Sequence, residues 1–72
     1  MSFQLTINPD ELKKFKIIVE EFNEPNYVIL NENEKELKLQ IVLINEENTH
    51  ELQEELMVYL DSIHIEEIIG GG

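Results

Sequence analysis

Apolar and polar residues alternate most strictly over residues 37 to 44, Leu-Lys-Leu-Gln-Ile-Val-Leu-Ile. Side chains on a strand point to opposite faces in turn, so Leu37, Leu39, Ile41 and Leu43 share one face, and Lys38, Gln40, Val42 and Ile44 the other. This is the pattern of a central strand with one face buried under helices and the other half covered. Phe3, Leu5 and Ile7 alternate with Gln4 and Thr6, which predicts a short strand over residues 3 to 7. A further strand is expected from Tyr27 to Leu30. The turn at 31 to 36 then sets a register pairing Leu30 with Leu37 and Val28 with Leu39, which sends Val28 and Leu30 inward and Tyr27 and Ile29 outward. Residues 65 to 69 predict a last, edge strand carrying Glu66 and Glu67.

Two segments carry the helical period instead. Asn8-Pro9-Asp10-Glu11 reads as a helix start, with Asn8 as cap, Pro9 at the first position and Glu11 reaching back to the cap. Leu12, Phe15, Ile18, Val19 and Phe22 form its apolar stripe, and Asn23-Glu24-Pro25 ends it. Asn48-Thr49-His50-Glu51 repeats the start signal, followed by a stripe of Leu52, Leu56, Tyr59, Leu60 and Ile63. The motif Asn-x-x-Glu-Leu thus recurs at 8–12 and 48–52, as though one strand–helix–strand unit were repeated.

The order strand–helix–strand, strand–helix–strand with right-handed crossovers gives an α+β fold, the ferredoxin-like βαββαβ plait. Its antiparallel sheet has strand order 4-1-3-2 and both helices on one face. The alternative drops the last strand and leaves three strands under two helices. At 72 residues, the chain is sized for a single domain over 1–69 followed by a flexible Gly70-Gly71-Gly72 tail.

Charge changes the picture most. Sixteen carboxylates face five lysines with no arginine, for a net charge of −11. Binding nucleic acid needs clustered cations to neutralise phosphates, so nucleic-acid partners are excluded, and anionic membranes with them. No apolar run reaches the span of a bilayer, and the first residues lack a basic-then-apolar leader, so a cytoplasmic protein is expected. Cysteine is absent, which removes disulfides and thiol chemistry. Alanine is absent too, while Ile, Asn, Glu and Lys abound; AT-rich codons favour three of these four, which points to a low-GC bacterium or its phage.

The acids are unevenly placed: from Asn45 to Ser62 there are six and no lysine. Glu47, Glu51, Glu54, Glu55 and Asp61 fall on the outward side of the second helix with Met57 and Val58 among them, the make-up of a polar-rimmed docking surface for a basic partner. Ile17 points outward on the first helix. On the uncovered sheet face, Tyr27, Ile29, Val42 and Ile44 are the expected contact residues of a homodimer. His50 and Glu54, four residues apart, are the nearest approach to a metal pair, with Glu46 or Glu47 as a third donor; the pair lacks the four donors of a structural transition-metal site and reads as a polar surface, as does His64. With no glycine-rich phosphate loop and no nucleophile–base constellation, the expectation is a non-enzymatic interaction module without cofactor or metal. It would inhibit or regulate a partner by occupying a basic surface, including one that binds nucleic acid. The other expectation is a regulatory or chaperone-type plait binding a cationic peptide or small ligand at its sheet edge.

Overall fold

The computed structural model describes residues 1–66. The chain runs as β1 (Ser2–Ile7), α1 (Leu12–Glu21), β2 (Tyr27–Glu32), β3 (Leu37–Val42), α2 (Thr49–Tyr59) and β4 (His64–Glu66), with 3-10 turns at Pro9–Glu11 and Glu46–Asn48 leading into the helices. The sheet is antiparallel with order β2-β3-β1-β4, the α+β arrangement of a βαββαβ plait. The last strand begins one residue earlier than expected; residues 67–69 and the glycine tail lie outside the described residues.

The core follows the two periods. Phe3, Leu5 and Ile7 from β1 and Leu37, Leu39 and Ile41 from β3 are buried in one cluster with Phe15, Ile18 and Val19 of α1 and Leu52, Leu56 and Leu60 from α2 and its end. The even-numbered residues of β1 and β3 face away from the helices, where Gln40 Nε2 donates to Ser2 Oγ at 3.0 Å and Lys38 Nζ lies 3.9 Å from Glu66.

The expected register of β2 is wrong by parity. Asn33 closes the hairpin: its side chain accepts from the amides of Lys35 and Glu36, each at 2.8 Å, and Glu32 pairs with Leu37. Continued regularly, that pairing would turn Leu30 and Val28 inward. An extra residue between Ile29 and Asn31 forms a β-bulge instead, so Ile29 pairs with Leu39 and Tyr27 with Ile41. Tyr27 and Ile29 therefore lie on the helix side, and Val28 points to the open face. The Tyr27 ring meets Phe15 edge-on, with centroids 5.1 Å apart. Ile29, further along the edge strand, remains half exposed despite its inward parity, and Leu30 is exposed at the bulge.

The helix starts also differ from expectation. Asn8 does cap, accepting from Asp10 N at 2.9 Å, but the residue that repeats its role is Asn45, which accepts from Glu47 N at 3.1 Å; Asn48 makes no such cap. The structural repeat is therefore 37 residues long, Asn8 to Asn45, rather than the motif's forty. Glu11 does not reach back to Asn8. Its carboxylate accepts from the amides of Asp61 and Ser62, each at 2.9 Å, and from the Ser62 hydroxyl, while Asn8 N donates to Ser62 Oγ at 2.8 Å.

The other half is joined in the mirror sense. α1 ends on Asn23 in the left-handed region, with φ 56°, where a non-glycine residue is tolerated best as asparagine. Asn23 N bonds Glu20 O and Glu24 N bonds Val19 O, the paired bonds that close a helix C-terminus. This turn drives Glu24, expected in a loop, into the interior, where its side chain is fully buried. Glu24 accepts from Ile44 N at 2.6 Å, Asn45 N at 3.1 Å and Asn48 Nδ2 at 3.4 Å. In each half, the backbone N–H at the strand-to-helix junction is met by a side chain from the turn after the other helix.

Candidate functional site

The burial of Leu52, Leu56 and Leu60 orients α2 and so decides what it presents. Residues a quarter-turn or more from that line, Glu51, Glu54 and Val58, must face out, and Glu55 sits at the margin, half buried. Glu47 and Asp61 are exposed just before and after the helix. The expected partner-binding residues Glu47, Glu51, Glu54, Glu55, Met57, Val58 and Asp61 lie along α2 and its two flanks, and all but the half-buried Glu55 are exposed. Glu47 and Glu51 at the start of the helix are held favourably by its dipole; Asp61, past its end, is not.

Few cations approach this surface. Among the described residues, the N-terminal amine lies 3.3 Å from Glu46 and His50 Nε2 2.9 Å from Glu54, both at exposed positions. The His50–Glu54 spacing does bring the two side chains together, but among the described residues no group of three or more His, Asp or Glu side chains is gathered to hold a metal ion. His64 is exposed on β4, opposite Thr6.

The last turn of α2 departs from expectation. Tyr59 was expected in the buried stripe; it is 56 % exposed, with Val58 at 71 % and Met57 at 55 %. The helix stops at Tyr59 and the chain goes extended at Leu60, so Leu60 takes the inward place that Tyr59 would have filled. Three consecutive apolar side chains are left outside between two buried leucines. Across from Tyr59, Ile17 of α1 is exposed, as its position predicts. Between the helices lies an open cleft of about 350 Å³ lined by Lys14, Ile17, Ile18, Glu21, Glu55 and Tyr59.

The open sheet face carries the expected Val42, and Val28 beside it; β3 ends at Val42 rather than at Ile44, so the exposed Ile44 follows just past the strand, and Tyr27 and Ile29 are on the other side and do not belong to the face. Val28, Val42 and Ile44 gather toward one corner. The opposite corner holds a polar hollow with Lys35, Lys38 and His64 beside Glu36 and Glu66, so both signs of charge meet there.

The Ser62 hydroxyl, with the amides of Ser62 and Asp61 and the charge of Lys14, lowers the Glu11 carboxyl below its usual 4.5, against an opposing push from partial burial. That shift belongs to the junction between the two halves and not to a reactive cleft. Sequence reasoning had no signal for the Glu11–Ser62 or Glu24–Asn45 contacts, since their partners lie 51 and 21 residues away. Comparison of the chain with protein-family models, curated proteins and solved structures finds no match. Among the described residues, no helix is long and apolar enough to cross a membrane.

Proposed function

We propose that this protein is a non-enzymatic interaction module whose α2 face occupies a basic surface of a partner protein, as an inhibitor or regulator. The observation that carries the reading is that α2 and its flanks carry five carboxylates, from Glu47 to Asp61, together with exposed Met57 and Val58 and no lysine in the segment. Glu51 and Glu55 stand one helical turn apart, about 6 Å along the axis, so a row of negative charge is presented on a rigid rod. Such a row attracts a cationic surface over the Debye length and speeds encounter, while the apolar residues give short-range contact. A partner surface that normally receives phosphates would be a fitting target, because carboxylates at regular spacing compete for the same cations. A cytoplasmic setting goes with this reading.

Fluorescence anisotropy with a labelled lysine-rich peptide tests it. Affinity is expected to fall steeply with salt, and Glu51→Lys is expected to weaken binding more than Glu34→Lys, which changes net charge equally but sits on the β2–β3 hairpin. Equal effects of the two reversals would mean that total charge, not the α2 face, attracts the peptide, and the proposal would fail.

Self-association through the open sheet is a second reading, favoured by the exposure of Val28, Val42 and Ile44 at one corner of that face. Sedimentation at high salt, where repulsion between acidic copies is screened, would reveal a dimer; a monomer at every concentration removes it.

A further inference from the structure

We propose that the cleft between α1 and α2 receives the apolar side of a basic amphipathic helix, an inference that rests on the acidic-face reading and specifies the kind of partner. The floor of the cleft is aliphatic and aromatic: Ile18 is buried beneath it, while Ile17 and Tyr59 stand more than half exposed on either side. Tyr59 and Val58 lie on the last turn of α2 because the helix ends there, so the apolar surface is held by a fixed backbone and needs no rearrangement to meet a ligand. Tyrosine flanked by aliphatic residues and rimmed by charge is the composition of a contact centre.

Charge selects the occupant. Glu21 and Glu55 line the cleft against the single Lys14, and Glu51, exposed one turn before Glu55 on α2, adds a further negative charge on that helix. An apolar group entering here is therefore best accompanied by lysine or arginine on both flanks. A second copy of this chain answers poorly: it carries the same net charge of −11, and its lysines on α1 include the Lys14 that already lines the cleft. Geometry selects the secondary structure. The walls are two helices with no unpaired backbone edge, so an added strand would find no hydrogen-bond ladder. A third helix can instead lay its i, i+3, i+4, i+7 residues into the groove between two others, as ridges pack into grooves.

The probe is a labelled helical peptide with leucine at i, i+3, i+4 and i+7 and lysine elsewhere, compared with a permuted peptide of the same composition whose leucines lie all round. The amphipathic peptide is expected to bind more tightly, and Tyr59→Ser and Ile17→Ser are each expected to weaken it about tenfold without changing the salt dependence. The permuted peptide should be indifferent to both. Both side chains are more than half exposed, so the variants should fold; melting curves verify this, and Ile17→Ser stands alone if Tyr59→Ser loses stability. Equal affinity for the two peptides, or indifference to Ile17→Ser, would overturn the proposal. If Glu51→Lys weakens binding while the serine variants do not, the acidic face survives and the cleft is excluded. If Glu51→Lys has no effect on either peptide, the acidic-face reading itself falls.

Discussion

Glu24 offers a sharp test of how the two halves are held together. Its side chain is fully buried and accepts from the amides of Ile44 and Asn45 and from the side chain of Asn48. In Glu24→Ala the amides of Ile44 and Asn45 lose their acceptor, and Asn48 loses one of two. Hydrogen bonds to an ionised group contribute about 1.5–3 kcal/mol each, and a donor left buried costs a similar amount. The Asn48 contact, at 3.4 Å, is long and shared with Phe22 O at the same distance, so it adds little. Ile44 and Asn45 lie at exposed positions, so water can reach part of what they lose. The net expectation is a loss of about 2–4 kcal/mol, set against a total of roughly 4–11 kcal/mol for a domain of this length. Glu24→Gln keeps one acceptor oxygen but turns an amide N–H₂ toward another donor, and should cost about half as much. Urea unfolding followed by far-ultraviolet circular dichroism measures both. With a slope near 1 kcal/mol per molar, Glu24→Ala should lower the midpoint by about 2–4 M or leave the chain unfolded without denaturant. A shift below about 0.5 M would refute the claim that this carboxylate joins the β3–α2 junction to the end of α1.

The remaining expectations concern the other junction and the sheet. Because the Glu11 carboxyl titrates below 4.5 in the folded state, its contribution is fully present above that value and is lost as pH falls through the lowered one. Glu11→Gln should therefore destabilise the protein at pH 7 and flatten the dependence of melting temperature on pH in the acid range; an unchanged acid profile would contradict the Glu11–Ser62 contact. Leu39→Asp places a carboxylate at a fully buried position in β3 and should abolish cooperative unfolding in the same urea assay, whereas Val42→Glu, on the face the helices leave open, should cost less than about 1 kcal/mol. Similar losses for the two would mean that the two faces of β3 are wrongly assigned.

The elements that came through from sequence are those with a period. The alternation of β1 and β3 and the stripe of Phe15, Ile18 and Val19 each repeat often enough to name the buried face, and the strand order followed from the sequence of elements. The outward acids of α2 were legible for the same reason, since Leu52 and Leu56 set the wheel. A single extra residue at Leu30 has no period, and it reversed the parity of Tyr27, Val28 and Ile29, moving two residues off the open face. Tyr59 fitted the helical stripe, but the stripe could not show that the helix would end there and hand its inward place to Leu60. Glu24 looked like any acid in a turn; its burial depends on the left-handed Asn23 and on amides 20 residues further along. The motif at 8–12 and 48–52 was a real echo in the wrong frame, because the side chain of Asn45 already takes the cap that Asn48 was assigned.

Which face of the molecule meets a cationic partner is tested most directly by amide chemical-shift mapping of the labelled protein with the amphipathic leucine–lysine peptide. The largest changes should fall on Glu51, Glu54, Glu55, Val58 and Tyr59 of α2 and on Lys14, Ile17 and Glu21 of α1. Changes centred on β2 from Tyr27 to Glu32, or on Lys38, Gln40 and Val42 of the open sheet, would show that the peptide adds to the sheet, and the α2 face would no longer be the site.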